Sequence, residues 1–396
     1  MKILQVHNRH WYEGGEEVMY DSISRILMEK DHNIVHFERN NRNVQNLWQK
    51  IHAFKDGIYS NAAKKAISSI LKSEHPEVAH IHNIYTLISP SIFVACGNYN
   101  VPVVLRCADF RLISCPISSH LRKGQICERC LGGREYWCVL KNCRSNIFES
   151  VAYAMRSSVA RMLEIIKDNV TLYVPPSKFV KQRMIDAKFP EDRIVVLPNM
   201  VSVYDLRDEK SSGEYVAYVG RISPGKGIET LINSACRTGL PVLIAGDYSK
   251  MPEILNTAPP NVQFIGPLNR DQLVGFYQNA RFTVIPSIFF ETFGLVAAEA
   301  MSHGLPVIAS RRGASPEIVE DGVTGFLFDP GNAEELTSKM KLLWENEDLC
   351  REMGAAARKK ASQEYSEAVY YKRLMAIYNK AIEINNEQKK HKIKSL

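Results

Sequence analysis

Two glutamates frame a stretch of small and apolar residues that has the makings of a ligand site. Glu291 and Glu299 stand eight positions apart, and Thr-Phe-Gly follows the first of them directly. A carboxylate accepts hydrogen bonds from two neighbouring hydroxyl groups, and the free N–H groups at a helix start bind phosphate. Two carboxylates around a helix start therefore suit a ligand with hydroxyls at both ends and phosphate in the middle, such as a nucleotide-sugar. Two solvated glutamates on an ordinary helix are the other interpretation.

The residues around these glutamates predict a βαβ unit. Phe282–Pro286 and Pro306–Ala309 are short apolar runs typical of buried strands, and Gly294–His303 between them is typical of a helix. Gly304 ends that helix. The loop at 287–293, which contains Glu291, then lies at the carboxyl end of a parallel strand, where ligands of open α/β sheets bind.

A second candidate site is the glycine-rich loop Gly220–Gly227, which follows the predicted strand Tyr215–Val219. Arg221 and Lys226 belong to this loop, and two cations can neutralise a diphosphate without a metal ion. The chain contains no Asp-x-Asp pair, so we expect no metal ion that bridges two carboxylates to a diphosphate. Near the start of the chain, Gly14 and Gly15 form either a close phosphate contact or a simple turn.

The elements that must position these residues repeat along the chain. Each half opens with a strand, a glycine loop and a helix, and strands and helices alternate thereafter. This order predicts an α/β protein with parallel sheets, built from two facing Rossmann-like domains with an interdomain crevice. The 396 residues exceed one compact core. We predict domains at 1–200 and 201–370, and a C-terminal helix and basic tail at 371–396 that crosses back to the first domain.

Charge is unevenly distributed along the chain. Residues 1–200 contain 27 Lys and Arg against 19 Asp and Glu, whereas residues 201–396 contain 23 against 24. A basic first half attracts phosphates, a polyanion or an anionic membrane. Within it, Trp48–Leu71 is either an amphipathic helix at the membrane interface or an ordinary surface helix. No apolar run reaches the roughly 18 residues of a membrane span. We expect a cytoplasmic protein, peripheral at the inner face of the plasma membrane, that binds no nucleic acid.

Five of the nine cysteines fall in one segment, 115–143, which we interpret as an insertion in the first domain. Cys115, Cys127, Cys130 and Cys143 have the residue types of a tetrahedral structural zinc site. Buried thiols without a metal are the alternative. Disulfides are not expected in a reducing cytoplasm.

These features together resemble the retaining glycosyltransferases of family 4, which have the GT-B fold. The resemblance rests on QVHNRHWYEGGEE near the start, HIHN at 80–83, GRISPGKG, and ETFGLVAAEAMSHGLPVIAS followed by GASPEIVEDGVTGFLF. The two glutamates fit the E-x7-E signature of that family. The resemblance implies a metal-independent enzyme that transfers a sugar with retention of configuration. The donor would be a nucleotide-sugar, and we expect a UDP-sugar. The acceptor would be a lipid-linked or polysaccharide intermediate of bacterial surface glycan biosynthesis.

The resemblance also implies roles for individual residues. Arg221 and Lys226 would hold the donor phosphates, and Glu299 would bind the ribose. Glu291, with backbone N–H groups of the neighbouring loop, would hold the donor sugar. Gly15 would let the first domain close over the β-phosphate, and Gly14 beside it belongs to the same predicted phosphate contact. The backbone positions that complete the predicted donor site are Gly220, Phe293, Gly294 and Leu295.

One position departs from the family pattern. Many relatives carry His-Asp or His-Asn where this chain has Ala108 and Asp109. Asp109 is then either a possible catalytic base or a turn aspartate, and His82 and Asn83 are the other candidates in the first domain. The missing histidine keeps open a second function, a catalytically impaired nucleotide-sugar-binding scaffold of a glycan assembly complex.

Overall fold

A computed structural model describes residues 1–9, 14–40, 56–85, 87–113, 121–122, 124–203 and 213–394 of the chain. The chain divides into two compact units. Unit 1 contains Met1–Ser118, Glu128–Leu197 and Tyr371–Leu396, and unit 2 contains Ser119–Cys127 and Pro198–Tyr370.

Unit 1 is built on a five-stranded parallel sheet with the strand order β2-β1-β3-β4-β7. Its strands are β1 Lys2–Arg9, β2 Asn33–Asn40, β3 Val78–Ile81, β4 Val103–Arg106 and β7 Leu172–Val174. The central strands β3 and β4 and the edge strand β7 are buried along their whole length. That burial matches a parallel sheet covered on both faces, which selects continuous apolar runs rather than alternation.

Helices cover this sheet and carry the insertion. They are α1 Gly15–Glu29, α2 Asn61–Glu74, α3 Ser91–Asn98, α4 Tyr136–Leu140, α5 Ile147–Met162, α6 Ile165–Asn169 and α7 Lys178–Asp186. A short antiparallel pair, β5 Leu121–Arg122 and β6 Gln125–Ile126, precedes α4 in the chain and falls in the segment assigned to unit 2. Asn146 starts α5 by accepting hydrogen bonds from the backbone N–H groups of Phe148 and Glu149.

Unit 2 contains a six-stranded parallel sheet with the order β10-β9-β8-β11-β12-β13. Its strands are β8 Tyr215–Val219, β9 Val242–Ala245, β10 Val262–Gly266, β11 Ala280–Ile285, β12 Val307–Ser310 and β13 Gly325–Phe328. Its helices are α8 Ile228–Thr238, α9 Arg270–Asn279, α10 Leu295–Ser302, α11 Ser315–Ile318, α12 Ala333–Glu345 and α13 Glu347–Tyr365. Strand order reverses between β8 and β11, the place where ligands of such sheets bind.

The last helix, α14 Glu367–Lys394, contributes to the core of unit 1. Tyr378 and Ala381 are fully buried, and the Tyr378 hydroxyl lies 2.7 Å from Nδ1 of the buried His80. None of the helices among the described residues is both long and apolar enough to span a membrane.

The predicted α/β class with two parallel-sheet, Rossmann-like units is confirmed. The predicted strand at Ile194–Leu197 is wrong, because that segment forms only an isolated bridge between Tyr173 and Ile194. Val195 and Leu197 donate to Tyr173 and Pro175. A strand pairing would also need N–H groups after Val174 that donate to the segment 194–197. The two residues after Val174 are prolines, which have no N–H to donate.

The candidate interfacial helix at Trp48–Leu71 is only partly described. Residues 41–55 lie outside the described ranges, whereas α2 packs Ala63, Ile67 and Leu71 into the core of unit 1. The described part of this segment is therefore an ordinary amphipathic helix of the domain.

Candidate functional site

The backbone of the glycine-rich loop of unit 2 contacts the backbone just after strand β11. Gly227 has φ +72°, and a Cβ atom there would lie 1.8 Å from the carbonyl oxygen of Pro286. The backbone N–H of Ile288 donates to the Gly225 carbonyl at 2.8 Å. Only glycine permits this approach at position 227. The loop that follows β8 is thereby fixed beside the loop that contains Glu291.

Lys226 and Glu291 meet at this junction. Lys226 Nζ donates to Glu291 Oε1 at 2.9 Å, and Ser287 Oγ donates to the same oxygen at 2.7 Å. Burial alone would raise the pKa of Glu291, but the charge of Lys226 and these hydrogen bonds outweigh it, so the pKa is lowered. The more distant charge of Arg221 acts in the same direction. Three of the predicted donor-site residues thus share one electrostatic environment.

Residues at the end of strand β12 and just after it contact the backbone of the loop that contains Glu291. Gly313 has φ +62°, and a Cβ atom there would lie 2.4 Å from the Glu291 carbonyl oxygen. The N–H of Ala314 donates to that same carbonyl at 2.8 Å. Ser310 Oγ donates to the Ser287 carbonyl. The sequence analysis assigned no role to Ser287 or Gly313, although the GASP motif, which begins at Gly313 and is separated by two residues from the end of β12, is one of the stretches that carry the resemblance.

Helix α10 begins directly after this loop, with Gly294 as its N-cap at φ +97°. Phe293 is buried, and Leu295 is the first helical residue. Burial raises the pKa of the Glu299 carboxyl to about 7, against the opposing charge of Arg270. Within the described ranges no ion pair neutralises Glu299. The two carboxylates of the candidate site therefore differ. The Glu291 carboxylate is stabilised in its ionised form, whereas the Glu299 carboxyl changes its protonation state near pH 7.

A second polar cluster lies at the carboxyl ends of the strands of unit 1. Arg111 forms ion pairs with Asp109 and with Glu16, and its Nη1 lies 3.3 Å from Asn83 Oδ1. The backbone N–H of Arg111 also donates to Asp109 Oδ1 at 2.8 Å. Asp109 thus has the geometry of a turn aspartate held by a guanidinium. The sequence reasoning did not single out Arg111 or Glu16.

The other predicted residues of unit 1 lie close in the chain to residues of this cluster, Gly14 and Gly15 to Glu16 and His82 to Asn83. Gly14 is the N-cap of α1, and Gly15 is its first residue, while the preceding residues 10–13 lie outside the described ranges. His82 is buried, and its ring lies 4.2 Å from that of His80, centroid to centroid. Burial, with the charge of Arg106, lowers the pKa of His80 to about 3. Burial also lowers the pKa of His82.

A cavity of about 450 Å³ adjoins the Arg111 cluster in unit 1. Its walls combine apolar residues with charged ones from the loop after β4, the start of α4, the helices α5 and α6, and the loop after α7. The charged residues are Arg111, Glu135, Arg161, Glu164, Lys167 and Lys188. Arg161 is bound by Glu135 through two hydrogen bonds, at 2.9 and 3.1 Å. The cavity is large enough for a phosphate-bearing group and has cations in its wall.

The cysteine-rich insertion packs through its thiols. Cys130 and Cys138 are buried together with Ala154, and Cys143 and Trp137 pack against them. None of the described cysteines forms a disulfide, and no group of three or more metal-ligating residues occurs among the described residues. Cys115 lies outside the described ranges. The predicted four-cysteine zinc site therefore stays a prediction.

Comparison with known proteins connects unit 2 to one family. Residues 207–360 match the family model described as glycosyl transferases group 1. These residues include the Gly220–Gly227 loop, Glu291 and Glu299, so the match covers the site described above.

Curated relatives match over a similar length. Sulfoquinovosyl transferase SQD2 of Arabidopsis thaliana is 34% identical over 197 residues, which cover 44% of this chain and 38% of that protein. Lipopolysaccharide 1,2-N-acetylglucosaminetransferase of Salmonella typhimurium is 29% identical over 202 residues, which cover 43% of this chain and 52% of that protein. The chain thus spans about half or less of the length of these relatives.

Solved structures share the whole fold. A glycosyltransferase from Rickettsia africae superposes with a TM-score of 0.69 at 19% identity, covering 96% of this chain and 98% of that one. Anabaena Alr3699/HepE in complex with UDP-glucose gives a TM-score of 0.63 at 18% identity, with both chains covered completely. These similarities show that the chain as a whole has the GT-B fold, in which each unit corresponds to one Rossmann-like domain.

Proposed function

We propose that the protein is a retaining, metal-independent glycosyltransferase. It moves a sugar from a nucleotide-sugar, a UDP-sugar, to a lipid-linked or polysaccharide acceptor of a bacterial surface glycan. The observation that carries the proposal is the cluster of Lys226, Ser287 and Glu291. It lies where strand order reverses in the sheet of unit 2, inside the segment that matches the group 1 glycosyl transferases.

Each donor group has a residue that suits it chemically. Lys226 and Arg221 would bind the two phosphates and stabilise the charge that develops as the nucleoside diphosphate leaves. Glu291 would accept hydrogen bonds from sugar hydroxyls, and Glu299 from the ribose. Gly294 leaves the start of α10 open for a sugar or phosphate oxygen. Catalysis would then rest on positioning and on electrostatic stabilisation.

Names of similar proteins support the choice of donor and acceptor. The Anabaena protein was solved in complex with UDP-glucose, and the Salmonella relative is a lipopolysaccharide N-acetylglucosaminetransferase. In this chain, the cations in the wall of the unit 1 cavity suit the diphosphate of a lipid-linked acceptor. The protein would act at the inner face of the plasma membrane, where such acceptors meet soluble nucleotide-sugars.

The proposal is tested by replacing Lys226. We expect Lys226→Ala to reduce transfer from a UDP-sugar by on the order of a hundredfold or more, because one charge that stabilises the leaving group is removed. The matched control is Lys341→Ala, an exposed lysine of α12 in the same unit. Thermal unfolding of both variants verifies that they fold. A folded Lys226→Ala protein with the turnover of the control would refute the phosphate role of Lys226.

A second candidate function is supported by the state of Asp109. Its carboxylate is already engaged by the side chain and backbone of Arg111, and Ala108 beside it has no titratable group. A protein without a first-unit catalytic group would bind nucleotide-sugars as a scaffold of a glycan assembly complex without transferring the sugar. Incubation of the purified protein with UDP-sugars separates the two functions: slow donor hydrolysis indicates an enzyme, whereas tight binding without hydrolysis or transfer indicates a scaffold.

A further inference from the structure

Helix α5 carries an apolar stripe on its outward face. Phe148, Met155 and Met162 are 82%, 46% and 72% exposed. They stand seven residues apart, which is close to two helical turns, so they lie in one row along the helix. Val151 and Val159, both partly exposed, fall on the same side of the helix. We call this row the α5 stripe.

The α5 stripe contains no charged residue. The charged residues of α5 are Glu149, Arg156 and Arg161, and the helical period places all three on other sides of the helix. Arg156 is buried, with its guanidinium 3.8 Å from the centre of the Tyr85 ring. A surface helix of a soluble protein normally presents its polar face to water. An outward apolar row of this kind marks an interaction surface.

The surroundings of the α5 stripe add further apolar residues and an excess of positive charge. Tyr136 and Leu140 on α4, which packs against α5, are exposed, as is Leu163 at the end of α5. Residues 129–163 contain six Lys and Arg against two Asp and Glu. The exposed cations of this segment are Arg129, Arg134, Lys141, Arg144 and Arg161, of which Arg144 and Arg161 form ion pairs with Glu149 and Glu135.

We propose that the α4–α5 face docks on the surface of an anionic phospholipid bilayer. Phe148, Met155 and Met162 would enter the boundary between head groups and acyl chains, and the surrounding cations would bind lipid phosphates. A second copy of the chain is a poorer partner, because symmetric contact through this face would bring two basic surfaces together. An anionic bilayer complements both the apolar row and the charge.

This docking would place the acceptor side of the protein at the membrane. Met162 belongs both to the α5 stripe and to the wall of the cavity described above, which also contains Arg161 and Lys167. A lipid held under α5 would therefore have its phosphate-bearing head group beside cations of that cavity. This part of the inference rests on the proposed function, since it requires a lipid-linked acceptor.

The test is co-sedimentation of the full chain with vesicles of phosphatidylcholine that contain roughly a quarter phosphatidylglycerol, and with vesicles of phosphatidylcholine alone. The wild type should bind the anionic vesicles, less strongly at high salt. The double variant Phe148→Glu/Met155→Glu should bind about tenfold more weakly or worse, because it loses apolar contact and adds two negative charges. The matched control is Met28→Glu, an exposed methionine on helix α1 of the same unit.

The possible outcomes separate this inference from the proposed function. Equal vesicle binding by the wild type and the double variant would overturn the docking face, as would a wild type that binds neither vesicle. A wild type that is dimeric in sedimentation velocity, with a monomeric double variant, would assign the face to a second copy and also overturn the inference. Binding of UDP-glucose in solution should be unchanged in the double variant. Failure of the wild type to bind nucleotide-sugars would refute the proposed function and leave the vesicle result standing.

Discussion

Lys226 and Glu291 illustrate how a single ion pair can prepare a site for a ligand. At 2.9 Å each side chain fixes the position of the other, so neither has to be ordered when a ligand binds. A donor phosphate would compete with Glu291 for Lys226, while a sugar hydroxyl would replace the lost hydrogen bond to Glu291. Binding of the two ends of the donor would then be coupled through this pair.

Glu299 predicts a pH dependence of donor binding. Its pKa of about 7 means that the carboxyl is largely protonated below neutrality, and only the ionised form accepts hydrogen bonds with both oxygens. We expect the affinity for UDP-glucose, whose own phosphates do not titrate in this range, to rise about tenfold between about pH 6 and about pH 8. Isothermal titration calorimetry at both pH values measures this change.

The control for this pH dependence is Glu299→Gln, which keeps the shape of the side chain and removes its ionisation. The variant should bind more weakly at alkaline pH and show a flat profile. A wild-type affinity that is constant across this range, or a variant that keeps the wild-type profile, would show that Glu299 does not bind the ribose.

Sequence spacing was sufficient to nominate Glu291, Glu299 and Lys226, because Glu291 and Lys226 follow predicted strands within short loops and Glu299 lies in the helix that begins after one of these loops. It could not reveal that Lys226 and Glu291 pair with each other, since 65 positions separate them and the pairing depends on which strands are neighbours. Arg111 escaped notice for the same reason. Its partner Glu16 is 95 positions away on another element. Contacts of this kind require the topology of the sheet.

At the scale of elements, the two ends of helix α8 predict a difference in stability. Gly227 caps its start at φ +72° and Gly239 its end at φ +68°. Gly239→Ala introduces a left-handed alanine into open space and should cost about 1–2 kcal/mol of unfolding free energy. Gly227→Ala adds a clash with the carbonyl of Pro286 and should cost at least about 2 kcal/mol more. Urea denaturation of both variants measures the two costs.

The comparison of these two glycines isolates the role of close packing, because both have the same backbone conformation. Equal destabilisation would mean that the loop before α8 moves away from β11 at little cost. In that case the rigid junction between Lys226 and Glu291 would not exist as described.

Strands were predicted well where they are apolar and bounded by turn residues. Val78–Ile81 and Tyr215–Val219 have the predicted bounds, because buried parallel strands need continuous apolar runs. The segment Ile194–Leu197 is also apolar and yet forms only an isolated bridge, since the prolines after Val174 accept a hydrogen bond from it but have no N–H to donate in return. The composition of a segment does not show which strand will lie beside it or whether that strand can form hydrogen bonds with it.

At the scale of the whole molecule, the zinc hypothesis predicts that the two units respond differently to loss of metal. We expect about one zinc ion per chain, and removal by a chelator should destabilise unit 1 while unit 2 still binds UDP-glucose. Cys127→Ser should lose the zinc, whereas Cys236→Ser, an exposed cysteine in unit 2, should retain it. Elemental analysis of the purified variants measures this, and a metal-free wild type that is folded and active would end the hypothesis.

The burial of Tyr378 and Ala381 in unit 1 has a consequence for how the chain is made. The hydrogen bond between Tyr378 and His80 joins residues 298 positions apart. Proteins emerge from the ribosome at roughly 5–20 residues per second, so on the order of ten seconds or more separates the strands of unit 1 from the helix that completes their core. Unit 2, which lies almost entirely between these segments, is released first. Unit 1 begins the chain and yet can complete its core only after unit 2 has emerged, so until then the surface that Tyr378 and Ala381 cover is exposed apolar surface of the kind that chaperones protect.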